Sequence, residues 1–157
     1  MRKANDFYPT PKECYEKLPI DWSQFKTALE PCKGDGRIVS FLENKGVVVD
    51  WCEIKEEKDF FDYNGEVDLI FTNPPYSLAQ KFIEHSMSCA PTIIMLLRIN
   101  FLGTKKRFEF WQQFPPDGMF ILSKRPSFMN NGKREATEYA WYVWSDIKEL
   151  QGFHWVL

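Results

Sequence analysis

Asn73-Pro74-Pro75-Tyr76 carries the most specific chemistry in this sequence. Asn73 offers an amide oxygen, and the Pro74 carbonyl is a second acceptor. Tyr76 adds a flat aromatic face. Two acceptors beside an aromatic plane suit a planar group bearing an NH2, such as the edge of adenine. The same residues also suit a strand-ending turn whose asparagine caps the backbone. Upstream, Glu30-Pro31-Cys32-Lys33-Gly34-Asp35-Gly36 places a carboxylate ahead of two glycines. Glycines permit positive φ and let backbone N–H groups approach a ligand. The spacing is neither the dinucleotide G-x-G-x-x-G nor a P-loop. A carboxylate there suits a cationic amine rather than a phosphate. Glu53, next to Ile54, ends the following strand. An acid at that place can take both hydroxyls of a ribose, or it can be an ordinary surface glutamate.

Alternating strands and helices must position these groups. Short apolar runs predict strands at Lys26–Leu29, Val47–Cys52, Val67–Phe71 and Thr92–Leu97. The last is nearly continuous, as expected of a central parallel strand. Met119–Leu122 and Glu138–Trp144 predict an antiparallel pair, and the apolar tail Gly152–Leu157 should pair or pack. Helices are predicted over Arg37–Asn44, over Ser77–Ala90 from a Ser77–Gln80 capping box, and from Thr104 to Gln113. Thr10, Pro11 and Glu13 make another capping box, predicting a helix to Leu18. The prolines after Phe71 place the Asn73 loop at the carboxyl end of a strand, where open α/β sheets bind ligands.

At 157 residues the chain is long enough for one domain with a real core. It contains 14 Phe, 6 Tyr and 6 Trp, which can build that core or serve as stacking platforms. Four scattered cysteines without a C-x-x-C pair, and two distant histidines, argue against a metal site and for a reducing cytoplasm. No signal peptide or membrane-spanning apolar run is evident. Net charge is −2, yet Arg98 to Arg134 holds eight bases and two acids. Those bases are Arg98, Lys105, Lys106, Arg107, Lys124, Arg125, Lys133 and Arg134. They form one basic face for nucleic acid, or solvated loop charges. Lys105-Lys106-Arg107 opposes the dipole of its predicted helix, a cost that a docked phosphate would relieve and hydration would keep small.

Asn73-Pro74-Pro75-Tyr76 resembles the catalytic motif of S-adenosylmethionine (SAM)-dependent amino methyltransferases, above all the DNA adenine-N6 enzymes. Relatives acting on RNA adenine or on a protein glutamine amide share it. Glu30-Pro31-Cys32-Lys33-Gly34-Asp35-Gly36 resembles the SAM loop of adenine methyltransferases that begin with an aromatic arm, and Phe7-Tyr8-Pro9-Thr10-Pro11 resembles that arm. Lys124-Arg125-Pro126-Ser127-Phe128 and Tyr139–Trp144 resemble small phage and prophage members. The resemblance runs from about Asp6 to Trp144. It implies an α/β, Rossmann-like class I methyltransferase fold, with a mostly parallel sheet, an antiparallel C-terminal strand and helices on both faces.

It also implies roles. Phe7, Tyr8 and Thr10 would fold over the SAM methionine end. Glu30, with Pro31, Cys32, Gly34 and Gly36, would receive the ammonium, and Glu53 with Ile54 the ribose. Asp59 and Phe60 would take the SAM adenine, unless Asp62 and Tyr63 do. Asn73, Pro74, Pro75 and Tyr76 would perform catalysis on a flipped-out adenine, with Phe128 on its second face. The expected partner is double-stranded DNA in the cytoplasm of a bacterial host, bound by a monomer or homodimer through the basic loops. No metal and no membrane are expected. Larger relatives carry a target-recognition domain, and no segment here is long enough for one. RNA, a protein glutamine and a non-catalytic SAM- or nucleic-acid-binding partner remain alternatives.

Overall fold

Seven short apolar segments form one twisted sheet in the computed structural model, which describes residues 9–129 and 132–157. The aromatic pair Phe7 and Tyr8 lies outside the described residues, as do Asn130 and Asn131 of the later loop. The strands are β1 (Thr27–Glu30), β2 (Val48–Trp51), β3 (Leu69–Thr72), β4 (Thr92–Arg98), β5 (Gly118–Leu122), β6 (Tyr139–Trp144) and β7 (Gly152–Val156). Their order across the sheet is β2-β1-β3-β4-β6-β5-β7. β2, β1, β3 and β4 are mutually parallel, and β6 runs antiparallel to both β4 and β5. The apolar tail does pair: β7 adds a parallel edge strand to β5.

Alternation along the strands feeds two cores, because successive side chains leave opposite faces. Leu69, Phe71, Ile94, Leu96, Tyr139, Trp141 and Val143 face one layer, covered by Ile38 and Leu42 of α1 (Arg37–Asn44). Ile70, Ile93, Met95, Leu97, Ala140 and Tyr142 face the other. There they meet Phe82 and Ile83 of α2 (Ala79–Ser86) and Phe110 of α3 (Phe108–Gln113). The aromatic content therefore builds mostly core. Phe71 stacks on Trp141 at 4.4 Å, and the Trp141 indole N–H donates to the Cys14 carbonyl at 2.7 Å.

Three predicted helices are shorter than their caps suggested. The Thr10 capping box does not form; only a 3-10 turn, Lys12–Cys14, follows an extended Pro11. Trp141 claims the Cys14 carbonyl and the core claims Cys14, Tyr15 and Leu18, so tertiary packing overrides the local signal. A 3-10 turn, Tyr76–Leu78, precedes α2, and Ser77 does not cap it. Lys105–Arg107 is likewise a 3-10 turn before α3, and the Thr104 hydroxyl accepts from the Arg107 guanidinium at 3.0 Å instead of capping.

Chain order creates the crevice that matters. From β1 the chain moves outward to β2, then returns to place β3 on the other side of β1. The loops leaving β1 and β3 therefore diverge at a topological switch point, the usual ligand crevice of open α/β sheets. Glu30 ends β1 and Asn73 follows β3, so both stand at it.

Candidate active site

Glu30 is 1 % exposed, an unusual place for a carboxylate. Its Oε1 accepts the Cys32 N–H at 2.8 Å, which bends the chain into the glycine loop. Burial pushes its carboxyl up to about 8, against the opposing pull of the Cys32 N–H. No ion-pair partner for it lies among the described residues. Gly34 and Gly36 take φ of 57° and 85°, which only glycine adopts cheaply. Glu53, two residues beyond β2, braces this loop: Oε1 accepts the Gly34 N–H at 2.9 Å and Oε2 the Lys55 N–H at 3.0 Å. Each oxygen retains a lone pair for a ligand. Ile54 beside it is 64 % exposed.

Asp59 caps the next turn, accepting the Phe61 N–H at 2.9 Å. Phe60 points inward, packed between Phe82 and His85, and is 2 % exposed. Its ring offers no open face; Phe61 is the more exposed neighbour. Asp62 lies in the same turn.

Asn73 Nδ2 donates to the Thr10 hydroxyl at 3.1 Å. The opposite amide atom, Oδ1, is buried and meets no donor among the described residues. The Thr10 backbone carbonyl accepts from Arg37 at 3.3 Å, so α1 holds the segment that orients Asn73. Arg37 is itself clamped by Asp35 through a 2.7 Å ion pair. Neither Arg37 nor its role was foreseeable, because its contact with Thr10 spans 27 positions of chain.

Tyr76 lies against Tyr139, ring centroids 5.8 Å apart, and under the Arg98 guanidinium at 5.6 Å. Arg98 Nε donates to the Tyr139 hydroxyl at 3.1 Å, and that hydroxyl donates to Glu135 at 3.0 Å. Phe128 contacts the same tyrosine from its own side at 5.2 Å and is 5 % exposed. Tyr139 thus gathers the rings expected around a base, though Phe128 presents almost no free surface. A cavity of about 480 Å³ opens beside Tyr76, lined also by Arg98, Asn100, Phe101, Thr104 and Arg107.

The basic residues divide. Arg98 and Arg107 face the Tyr76 cavity, and Lys105 and Lys106 stand exposed at its side. Arg125 is paired with Glu138 and Arg134 with Glu13 at 3.4 Å. Lys124 adjoins Val156 and Leu157, in a hollow that excludes Tyr76. Lys133 lends its backbone carbonyl to the Ser127 hydroxyl at 2.6 Å. The charge surplus is therefore smaller than its local count, because Glu135 and Glu138 just beyond the segment, and Glu13 from early in the chain, pair with Arg98, Arg125 and Arg134. Among the described residues no group of three or more His, Cys, Asp or Glu could hold a metal ion, and no helix is long and apolar enough to cross a membrane.

Two solved structures described as methyltransferases share this fold. A candidate RNA methyltransferase from Pyrococcus horikoshii superposes with a TM-score of 0.67 at 17 % identity, covering 90 % of this chain and 87 % of its own. A candidate class I SAM-dependent methyltransferase from Listeria monocytogenes superposes with a TM-score of 0.54 at 14 % identity, covering 91 % of this chain and 61 % of its own. No protein-family model and no curated protein matches the sequence.

Proposed function

We propose that this chain is a SAM-dependent DNA methyltransferase that modifies N6 of adenine. The observation that carries this reading is Asn73 Oδ1. A buried amide acceptor without a donor costs about 1–3 kcal/mol, and an incoming NH2 group removes that cost. The Pro74 carbonyl would accept the second hydrogen, leaving the nitrogen lone pair less delocalised. Tyr76 would stack on the flipped base, with the Arg98 guanidinium held 5.6 Å from the same ring. Flipping costs a few kcal/mol and stacking returns about 1–3 kcal/mol per base. Phe128 would add the second face once the loop carrying it shifts. DNA would lie along Arg98, Lys105, Lys106 and Arg107, with the Lys124–Arg134 loop beside it.

The residues at the crevice fit SAM. Glu30 is a buried carboxylate awaiting a cation, the glycine loop exposes backbone, and Glu53 has acceptors left for a ribose. Asp59 has a second carboxylate oxygen for an adenine N6. When bound, SAM supplies a methyl group on a sulfonium, which departs as a neutral thioether. The rest is positioning and electrostatics by the chain itself.

RNA adenine is the second reading, favoured by the Pyrococcus neighbour, which is described as an RNA methyltransferase. Asn73→Ala and Tyr76→Ala test the site directly. Asn73→Ala should lower kcat by roughly 10²- to 10³-fold, the usual effect of losing one aligned polar contact. Tyr76→Ala should lower kcat/KM by roughly 5- to 150-fold, the range for one base–aromatic stack. SAM affinity by calorimetry should stay within a few-fold. Near-normal turnover in either variant would remove this assignment.

A further inference from the structure

A second groove, of about 1050 Å³, adjoins the Tyr76 cavity. The two share Gly103 and Thr104 as a common wall. The groove is lined by Phe108, Trp111, Pro115 and Pro116, with Lys105 and Lys106 on its rim. Phe108 is 64 % exposed, although it begins α3, whose Phe110 is buried. An aromatic ring held open to water has not been recruited by the core. Lys105 and Lys106 are both exposed, and their ammonium groups have no ion-pair or hydrogen-bond partner among the described residues. The lone acid lining the groove is Glu109.

An exposed aromatic face, two unpaired cations and a wall shared with a base pocket form one pattern. Nucleic-acid channels combine a cationic track for the backbone with rings on which bases stack. We propose that this groove holds the nucleotide next to the target adenine, with Phe108 stacking on its base and Lys105 and Lys106 on its phosphates. The inference rests on the adenine reading of the Tyr76 pocket. It makes Phe108 a substrate-binding residue and gives a compact chain a way to sense the base beside its target.

The test uses oligodeoxynucleotides bearing the methylated sequence, intact or with an abasic position on either side of the target. Wild type, Phe108→Ala and Phe108→Trp are compared in kcat/KM, with SAM affinity measured alongside. Phe108→Ala should lose roughly 5- to 150-fold, the range for one base–aromatic stack. Phe108→Trp should retain most activity, and SAM affinity should not change. One abasic position should cost the wild type a similar factor and cost Phe108→Ala little more, since the partner of that stack is already gone. Wild-type kcat/KM in Phe108→Ala, or an abasic penalty equal in both proteins, would overturn the groove assignment while leaving the adenine reading intact. A wild type that methylates no adenine would overturn both.

Discussion

Glu30 is the residue whose chemistry is most exposed to measurement. A carboxyl raised from 4.5 to about 8 stays protonated in the folded protein over a window where the unfolded chain ionises. Its contribution to stability is therefore fully present below pH 4.5 and is lost as pH rises through about 8. Glu30→Gln should flatten that dependence and raise the melting temperature of the ligand-free protein at pH 8. The opposite holds for binding a cation. In the proposed role the SAM ammonium would pair with the ionised form, so affinity should fall by about tenfold or more between pH 7.5 and pH 6. In Glu30→Gln affinity should be weak and nearly level across that range. Calorimetric titrations of both proteins check this, and a pH-independent wild type would contradict the role given to Glu30. Asn73 is the complementary case: its amide is already oriented by Thr10, so the free oxygen is preset rather than recruited.

Loops and short turns, more than helices, hold these residues. Gly36 lies at φ 85° with open space around a would-be Cβ, so Gly36→Ala is opposed by conformation alone. It should cost about 1–2 kcal/mol in denaturant unfolding and weaken SAM binding. Gly118 is the reverse: a Cβ there would strike the Leu150 carbonyl oxygen, which is backbone and cannot turn aside. Gly118→Ala should therefore disturb the β5–β7 pairing and lower the melting temperature while leaving the distant Glu30 loop's intrinsic geometry alone. The strands were legible because apolar runs of this kind have few other solutions. Helix starts were not. Thr10, Ser77 and Thr104 carry local cap signals, yet Thr10 serves Asn73 and Thr104 serves Arg107. Asn73 and Tyr76 could be picked out from a four-residue string. Tyr139, Glu135 and Arg37 could not, because their contacts depend on chain separations or pairings that no local pattern encodes.

Across the whole molecule, charge and topology are arranged around one rim of the sheet. The switch point between β1 and β3 sets the crevice proposed for the cofactor, and β4 carries Arg98 to the same rim beside Tyr76. Arg98, Arg125 and Arg134 spend charge on Glu135, Glu138 and Glu13, so the effective cationic surface is centred on Lys105 to Arg107. Nucleic-acid binding should accordingly weaken with salt, and Lys105→Ala or Lys106→Ala should each reduce the logarithmic salt slope by about 1. Arg125→Ala should change it less. Equal slopes for all three variants would mean that the basic face was misplaced.

The most direct test of adenine methylation is product analysis. The protein is incubated with unmodified genomic DNA and methyl-labelled SAM, and the nucleosides are resolved by mass spectrometry. Label recovered as N6-methyldeoxyadenosine, and lost in Asn73→Ala, is the predicted result. Label on another base, or none on DNA from a protein that binds SAM, would contradict it.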